Sequence, residues 1–310
     1  MSKLPRTVFR PLDGILLFDK PPGMSSNQAL QRVRHLFRAE KAGHTGSLDP
    51  LATGLLPVCF GEATKLAGHL LGNAKGYDTE ALLGISTDSD DSDGQALLER
   101  TVPEFDRAAV EVALAQFVGH IRQRPPTYSA LKQGGEPLYA KARRGESIEV
   151  PERDAVVHSI RLLVLAGARL QLRIECGSGT YVRSIVRDLG EALGCGAHVT
   201  ALRRTWIDPF TQPRMHGLEE LRQVAQEEGE AGIDRLLLPL EAGMANWPTV
   251  SLDAEQALAL GRGQPVQLAP GEAMAELNAL DPQGRSLGLV AVDGAGVLRA
   301  RRLFRWAAQG

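Results

Sequence analysis

The sequence predicts a mixed α/β (α+β) fold for most of the chain, with a small β-rich module at its C-terminal end. Two observations carry that expectation. Up to about residue 212, short apolar runs alternate with segments whose apolar residues recur at helical spacing. Beyond it the chain turns acidic, and from Val250 it breaks into short β-like runs separated by Gly-containing turns. With 310 residues, 43% of them apolar, there is material for about two domains, drawn here as 1–248 and 249–310. No stretch approaches the ~18 consecutive apolar residues of a membrane span, and Met1–Gly14 lacks the apolar core of a secretory signal.

The elements follow in order. Ile15–Phe18 is a short apolar strand stopped by the turn Lys20-Pro21-Pro22-Gly23. Ser25 or Ser26 caps a helix whose apolar positions are Leu30, Val33, Leu36 and Phe37. A Gly-rich loop, Gly43 to Pro50, leads into an apolar run from Leu55 to Phe60 and a helix from Glu62 to Leu71. Tyr77–Leu83 reads as a strand and Phe105–Phe117 as an amphipathic helix. Leu170, Leu172 and Ile174 alternate with polar residues as in a half-buried strand. A helix over Tyr181–Leu193, a strand over Thr200–Ile207 and an acidic helix over Leu218–Gly229 come next. The tail supplies a short helix, Ala254–Leu260, and β-like segments at 287–292 and 297–304.

A net charge of −2 conceals an uneven distribution: residues 81–120 carry −6 and residues 121–214 carry +6. Of 35 basic side chains 28 are Arg, whose planar fork suits phosphate. Charge therefore leaves room for a polyanionic partner along one part of the chain. Three widely spaced cysteines, Cys59, Cys176 and Cys195, form neither a C-x-x-C pair nor an even disulfide set, which points to a reducing cytoplasm.

Several chemistries are excluded. If the acidic run Asp88–Gly94 were an EF-hand loop with Gly94 as its sixth residue, the twelfth position would be Arg100 rather than a bidentate Glu. The run reads instead as a solvated loop or an anchor for a neighbouring Arg. Gly177-Ser178-Gly179 lacks the third Gly of a dinucleotide fingerprint, and no Walker lysine, nucleophile elbow or His-Glu-x-x-His is present. The sequence thus calls for no cofactor and no metal.

Three segments carry chemistry. In Gly43-His44-Thr45-Gly46-Ser47-Leu48-Asp49-Pro50, small residues let backbone approach a ligand, and Pro50 keeps Asp49 extended. That carboxylate suits a nucleophile or general base, or an Asx-turn satisfying nearby amides. Between Arg122 and Arg144, six basic residues interleave with Tyr128 and Tyr139, a composition suited to bases and phosphates or to a plain basic surface. Tyr181 and Arg183 lie at a strand-to-helix junction, where an Arg can hold a catalytic carboxylate ionised or simply face solvent.

Together these stretches resemble the bacterial TruB family, the tRNA pseudouridine-55 synthases. The resemblance rests on Phe18-Asp19-Lys20-Pro21-Pro22-Gly23, the loop Gly43–Gly54, Gly61-Glu62-Ala63-Thr64-Lys65, Lys75-Gly76-Tyr77, Pro125–Lys132 and Gly179–Arg183, in family order over about residues 11–210. Gly76 departs from it, since the family often has a bulkier residue there. The resemblance implies a pseudouridine synthase fold with a largely antiparallel central sheet, and a PUA-like RNA-binding domain in the tail. It implies isomerisation, without cofactor, of a uridine flipped out of the T-loop of tRNA, whose T-arm stem-loop is the partner. Asp49 would be the nucleophile, Arg183 its ion-pair partner and Tyr77 a catalytic ring stacked on uracil. Tyr181 and Leu202 would line the pocket and His44 would hold the extruded nucleotide, with Lys20 and Lys65 making phosphate or site-supporting contacts. The rivals are a non-catalytic tRNA-binding or folding protein and a glycosidase, which needs a second carboxylate in the site.

Overall fold

In a computed structural model the chain is described over residues 8–308, apart from residues 73, 130, 145 and 147 and the side chains of residues 132, 137, 139, 140 and 143. Ala130 and the Lys132, Tyr139 and Arg143 side chains of the basic segment therefore lie outside the described residues. The strands of the larger part are β1 (Gly14–Lys20), β2 (Ala42–His44), β3 (Thr53–Phe60), β4 (Lys75–Leu83), β5 (Ile85–Thr87), β6 (Ala96–Glu99), β7 (Gly119–Gln123), β8 (Lys132–Gln133), β9 (Glu136–Pro137), β10 (Arg153–Ala166), β11 (Arg169–Cys176), β12 (Ala197–Ile207) and β13 (His216–Gly217). Nine of them form one sheet in the order β13-β1-β3-β12-β4-β11-β10-β7, with β2 added on β3. Its pairings are antiparallel except β1 with β13 and β12 with β3. The helices are α1 (Ser26–Leu36), α2 (Ala67–Leu70), α3 (Arg107–Ala115), α4 (Leu138–Arg143), α5 (Val182–Ala192), α6 (Leu218–Asp234) and α7 (Ala254–Gly261).

The main core forms where the apolar sides of α1, α3 and α5 meet one face of the sheet, through Phe18, Val33, Phe37, Val58, Ala81, Val110, Ile174, Ile185 and Leu189. Helix α1 starts where Ser25 and Gln28 form a capping box, each side chain accepting from the other's backbone N–H. On the second face, Ile15, Leu17, Leu55 and Cys59 pack against Leu66, Leu70, Leu240 and Met244. Farther along that face the sheet is polar: Arg173 forks onto Asp78, and Gln171 donates to Glu80 across the β4–β11 pair.

The tail builds a second sheet from β14 (Thr249–Ser251), β15 (Val266–Gln267), β16 (Met274–Leu280), β17 (Ser286–Val292) and β18 (Val297–Leu303), ordered β14-β16-β17-β18-β15. It has its own core of Leu252, Leu260, Leu277, Val290 and Leu298. It also docks on the larger part: Leu289 and Phe304 join the Ile15–Leu55 cluster, and Arg305 binds Asp13 and the Glu62 carboxylate.

Several local expectations shift. Glu62–Leu71 is not one helix but a 3-10 turn, Gly61–Lys65, followed by α2, because glycines at 61, 68 and 72 weaken continuous helix. His44 ends a strand paired with Val58 rather than lying in a free loop. Met274–Leu280, for which the sequence offered no element, is a strand paired with β17 although Met, Ala, Glu and Leu favour helix. The acidic helix runs on past Gly229, which interrupts it at φ 67°, to Asp234.

Candidate active site

The loop after β2 is held from three directions. Ser26 of α1 accepts from the Leu48 N–H (2.7 Å) and donates to the Leu48 carbonyl (3.0 Å). The Lys20–Gly23 turn contributes the Gly23 N–H, which donates to the Pro50 carbonyl at 2.9 Å. From β12, Arg204 donates to the Gly46 carbonyl at 3.1 Å. Asp49 and Pro50 open a tight turn closed by the Ala52 N–H on the Asp49 carbonyl (3.1 Å), with Pro at the position where its fixed φ suits the turn. Among the described residues no backbone amide donates to the Asp49 carboxylate, so the side chain makes no Asx-turn and is free to face Arg183.

Arg183 sits in the first turn of α5, and its side chain is only 2% exposed. Its Nε lies 2.9 Å from Asp49 Oδ2, as a close ion pair without hydrogen-bond alignment. Nη1 meets Asp91 Oδ2 at 3.2 Å and the Ser89 carbonyl at 2.6 Å, and Nη2 donates to the Tyr128 carbonyl at 2.9 Å. The acidic run thus anchors neighbouring arginines, for Asp90 also binds Arg187 on the next turn of α5. Burial holds the Asp49 carboxyl above its ordinary value; Arg183 opposes this and Asp91 adds to it. The Asp49 side chain is 34% exposed, so a substrate can reach it.

Tyr77 stands opposite Arg204 in the β4–β12 register, 8% exposed, with its phenol within the electrostatic reach of that guanidinium. Burial raises its pKa, and Arg204 pulls it back. Leu202, two residues before Arg204, pairs with Thr79 and shares the Tyr77 core cluster. Tyr181 is fixed by Gln123 of β7, which accepts from its N–H (2.8 Å) and donates to its carbonyl (2.9 Å). Its phenol lies near Asp49 and Ser129. His44 lies near Arg204, is shifted below its ordinary pKa by burial, and has a buried Nδ1 with no partner.

Asp49, Tyr77, Arg183, Tyr181, Leu202 and His44 therefore gather round one place. Lys20 supports it from beneath: wholly buried, its ammonium donates to the carbonyls of Pro21, Met24 and Pro50, and burial lowers its pKa to about 8. Nothing of it remains to face a phosphate. Lys65 lies elsewhere, bridging Glu62 of its own 3-10 turn (2.7 Å) and the Leu303 carbonyl of β18 (2.8 Å). Asp91, the nearest second carboxylate, is 5% exposed behind Arg183 and offers a glycosidase no acid facing substrate. An open groove of about 630 Å³ adjoins the site through Leu51 and Leu202.

Sequence reasoning missed Arg204 and Gln123, and saw Asp91 only as part of a run that could anchor an Arg. Arg204 carried a legible signal, a charged residue at an inward position of a strand between Leu202 and Ile207. Gly76 is explained by its partner: a Cβ there would overlap the Trp206 indole, which occupies the space a larger residue would take.

A mixed sheet with its main core under α1, α3 and α5, and an Asp on a pinned loop gripped by a buried Arg between two tyrosines, define the class to which this chain belongs. Residues 34–182 match the TruB family pseudouridylate synthase N-terminal domain, 183–245 the tRNA pseudouridylate synthase B C-terminal domain, and 248–304 the pseudouridine synthase II TruB C-terminal domain. The chain belongs to the TruB family of pseudouridylate synthases. It is 57% identical to tRNA pseudouridine synthase B of Xanthomonas campestris pv. campestris over 97% of this chain and 96% of that one. It is 54% identical to the protein of the same name from Xylella fastidiosa over 96% and 98%. A solved Cbf5-Nop10-Gar1 complex contains a chain of the same fold, with a TM-score of 0.73 at 24% identity over 94% of this chain and 84% of that one.

Proposed function

We propose that this protein isomerises uridine 55 in the T-loop of tRNA to pseudouridine. The C1′–N1 bond breaks, a C1′–C5 bond forms, C5 loses a proton and N1 gains one, so no redox partner or transferred group is needed. The observation that carries this reading is the Asp49–Arg183 pair, a half-buried but reachable carboxylate whose counter-ion is buried and fixed by three further acceptors. The target base must leave its stack to reach Asp49. Tyr77 and Tyr181 offer ring faces for it, Leu202 an apolar wall, and His44 a polar edge. Lys20 acts by holding Pro50 and so the Asp49 turn.

The tail, residues 249–310, serves as a PUA-like RNA-binding domain, with Arg299, Arg301 and Arg302 exposed on β18. No helix among the described residues is long and apolar enough to cross a membrane. The three cysteines are free and buried, which supports action in a reducing cytoplasm, on tRNA without an obligate protein partner. Incubation with unmodified tRNA, followed by mapping of pseudouridine, tests the reading: a single new pseudouridine at position 55 is expected. Tight tRNA binding without modification would select the folding-protein alternative.

A further inference from the structure

Arg204 is among the largest fully buried side chains of the described residues, at 1% exposure. Its Nε donates to the Leu55 carbonyl at 2.7 Å and its Nη2 to the Gly46 carbonyl at 3.1 Å. Among the described residues no carboxylate lies within ion-pair distance of it. A buried charge with only neutral acceptors is costly, and most buried arginines avoid this by pairing. Here the surroundings add cost: Lys20, Lys75 and His44 all feel its charge, and it disfavours their protonated forms. Holding Gly46 and Leu55 in place would require only neutral donors, so the backbone contacts do not explain a cation.

What remains beside the guanidinium is Tyr77. The two residues are direct register partners on adjacent strands, which brings their side chains to the same face. We propose that Arg204 is a positioning residue for Tyr77, holding its oxygen in the Asp49 cleft and supplying the positive charge that balances a phenolate there. This rests on the synthase reading above. In that reaction C5 must surrender a proton after the C1′–C5 bond forms. A phenolate accepts it, becoming phenol, and returns to phenolate when that proton passes to water as N1 takes one up, so nothing is consumed.

The groups facing the Tyr77 oxygen are Arg204 on β12, Cys176 on β11 and Asp49 on its loop, with Lys75 two residues away on β4. Asp49 and Cys176 disfavour a phenolate, and Arg204 favours it. Burial disfavours it most, which is why the balancing charge must be close.

The test is a double-mutant cycle on single-turnover pseudouridine formation in a T-arm stem-loop, with RNA affinity measured alongside. The wild-type arm tests the synthase reading by itself, since a wild-type protein that forms no pseudouridine fails there and nowhere else. Given an active wild type, Arg204→Met is expected to slow the step about a hundredfold, the scale of a lost general base, with affinity within about threefold. Its rate should rise with pH beyond the point where wild type levels off. Arg204→Lys, which keeps the charge, should recover much of the rate and stands in if the Met variant fails to fold. In a Tyr77→Phe background either Arg204 substitution should add little. Fully additive losses, or equal losses in the Lys and Met variants with an unchanged pH profile, would overturn the proposal and leave Arg204 a prop for the Gly46 loop.

Discussion

Replacing Arg183 by Met tests the centre of the site most directly. The guanidinium makes ion pairs of 2.9 Å to Asp49 and 3.2 Å to Asp91 and hydrogen bonds of 2.6 and 2.9 Å to two carbonyls. Asp91 is 5% exposed, so deleting Arg183 strands a buried carboxylate, at a cost of about 3–5 kcal/mol. For a chain of this size that is roughly a 10 °C fall in Tm. Chemistry suffers separately. Losing an opposite charge at this distance raises a carboxyl's pKa by about 1–3, and Asp49 already stands above its ordinary value through burial and Asp91. The ionised fraction below the new value falls about tenfold per pKa step. Single-turnover rates between pH 5 and 9, with thermal unfolding and tRNA binding measured in parallel, should show the ratio of variant to wild-type rate climbing with pH as Asp49 ionises. Arg183→Lys should keep part of the charge effect but not the four-acceptor geometry. A pH–rate profile identical to wild type would refute the reasoning and make Arg183 purely structural.

Asp49→Asn should abolish turnover while retaining tRNA binding, and measurable multiple turnover by it would sink the nucleophile assignment. A carboxyl with a raised folded pKa favours the fold at low pH and loses that contribution as pH rises through the raised value. The Asn variant should therefore gain in Tm relative to wild type toward pH 8, a gap that closes near pH 4. Lys20→Met should cost about 1–3 kcal/mol by stranding buried carbonyls. Because burial lowers the Lys20 pKa to about 8, its stabilising contribution grows as pH rises from about 8 toward its unfolded value of 10.5, so the deficit of the Met variant should widen there in thermal unfolding. Gly76→Ala should cost about 1–3 kcal/mol in thermal unfolding through overlap with Trp206, and Trp206→Ala in the same chain should relieve it. Replacing Arg299, Arg301 and Arg302 by Ala should weaken tRNA binding and reduce its salt slope by about two to three at unchanged Tm; this tests the tail better than removing it, since truncation would expose the Ile15–Leu55 cluster.

The sequence by itself determined much of this protein. Periodicity located α1 and β11, whose apolar positions repeat at 3.6 and 2 residues, and an apolar run stopped by Pro21-Pro22-Gly23 located β1; neither signal needs a distant partner to be seen. Pro50 and the small residues round Asp49 made the loop legible as a place where backbone and carboxylate meet a ligand. Lys65 shows the limit: its motif pointed to the site, yet its ammonium reaches the β18 carbonyl of Leu303, because which surface covers the 3-10 turn is decided by where the tail docks. Arg204 shows it from the other side. Its place opposite Tyr77 depends on the register between strands more than a hundred residues apart, and its isolation from carboxylates depends on every element packed round it. Local spacing encodes which residues share a face. Only the tertiary structure decides what charge, carbonyl or ring that face meets, because those contacts come from chain that the local pattern does not contain.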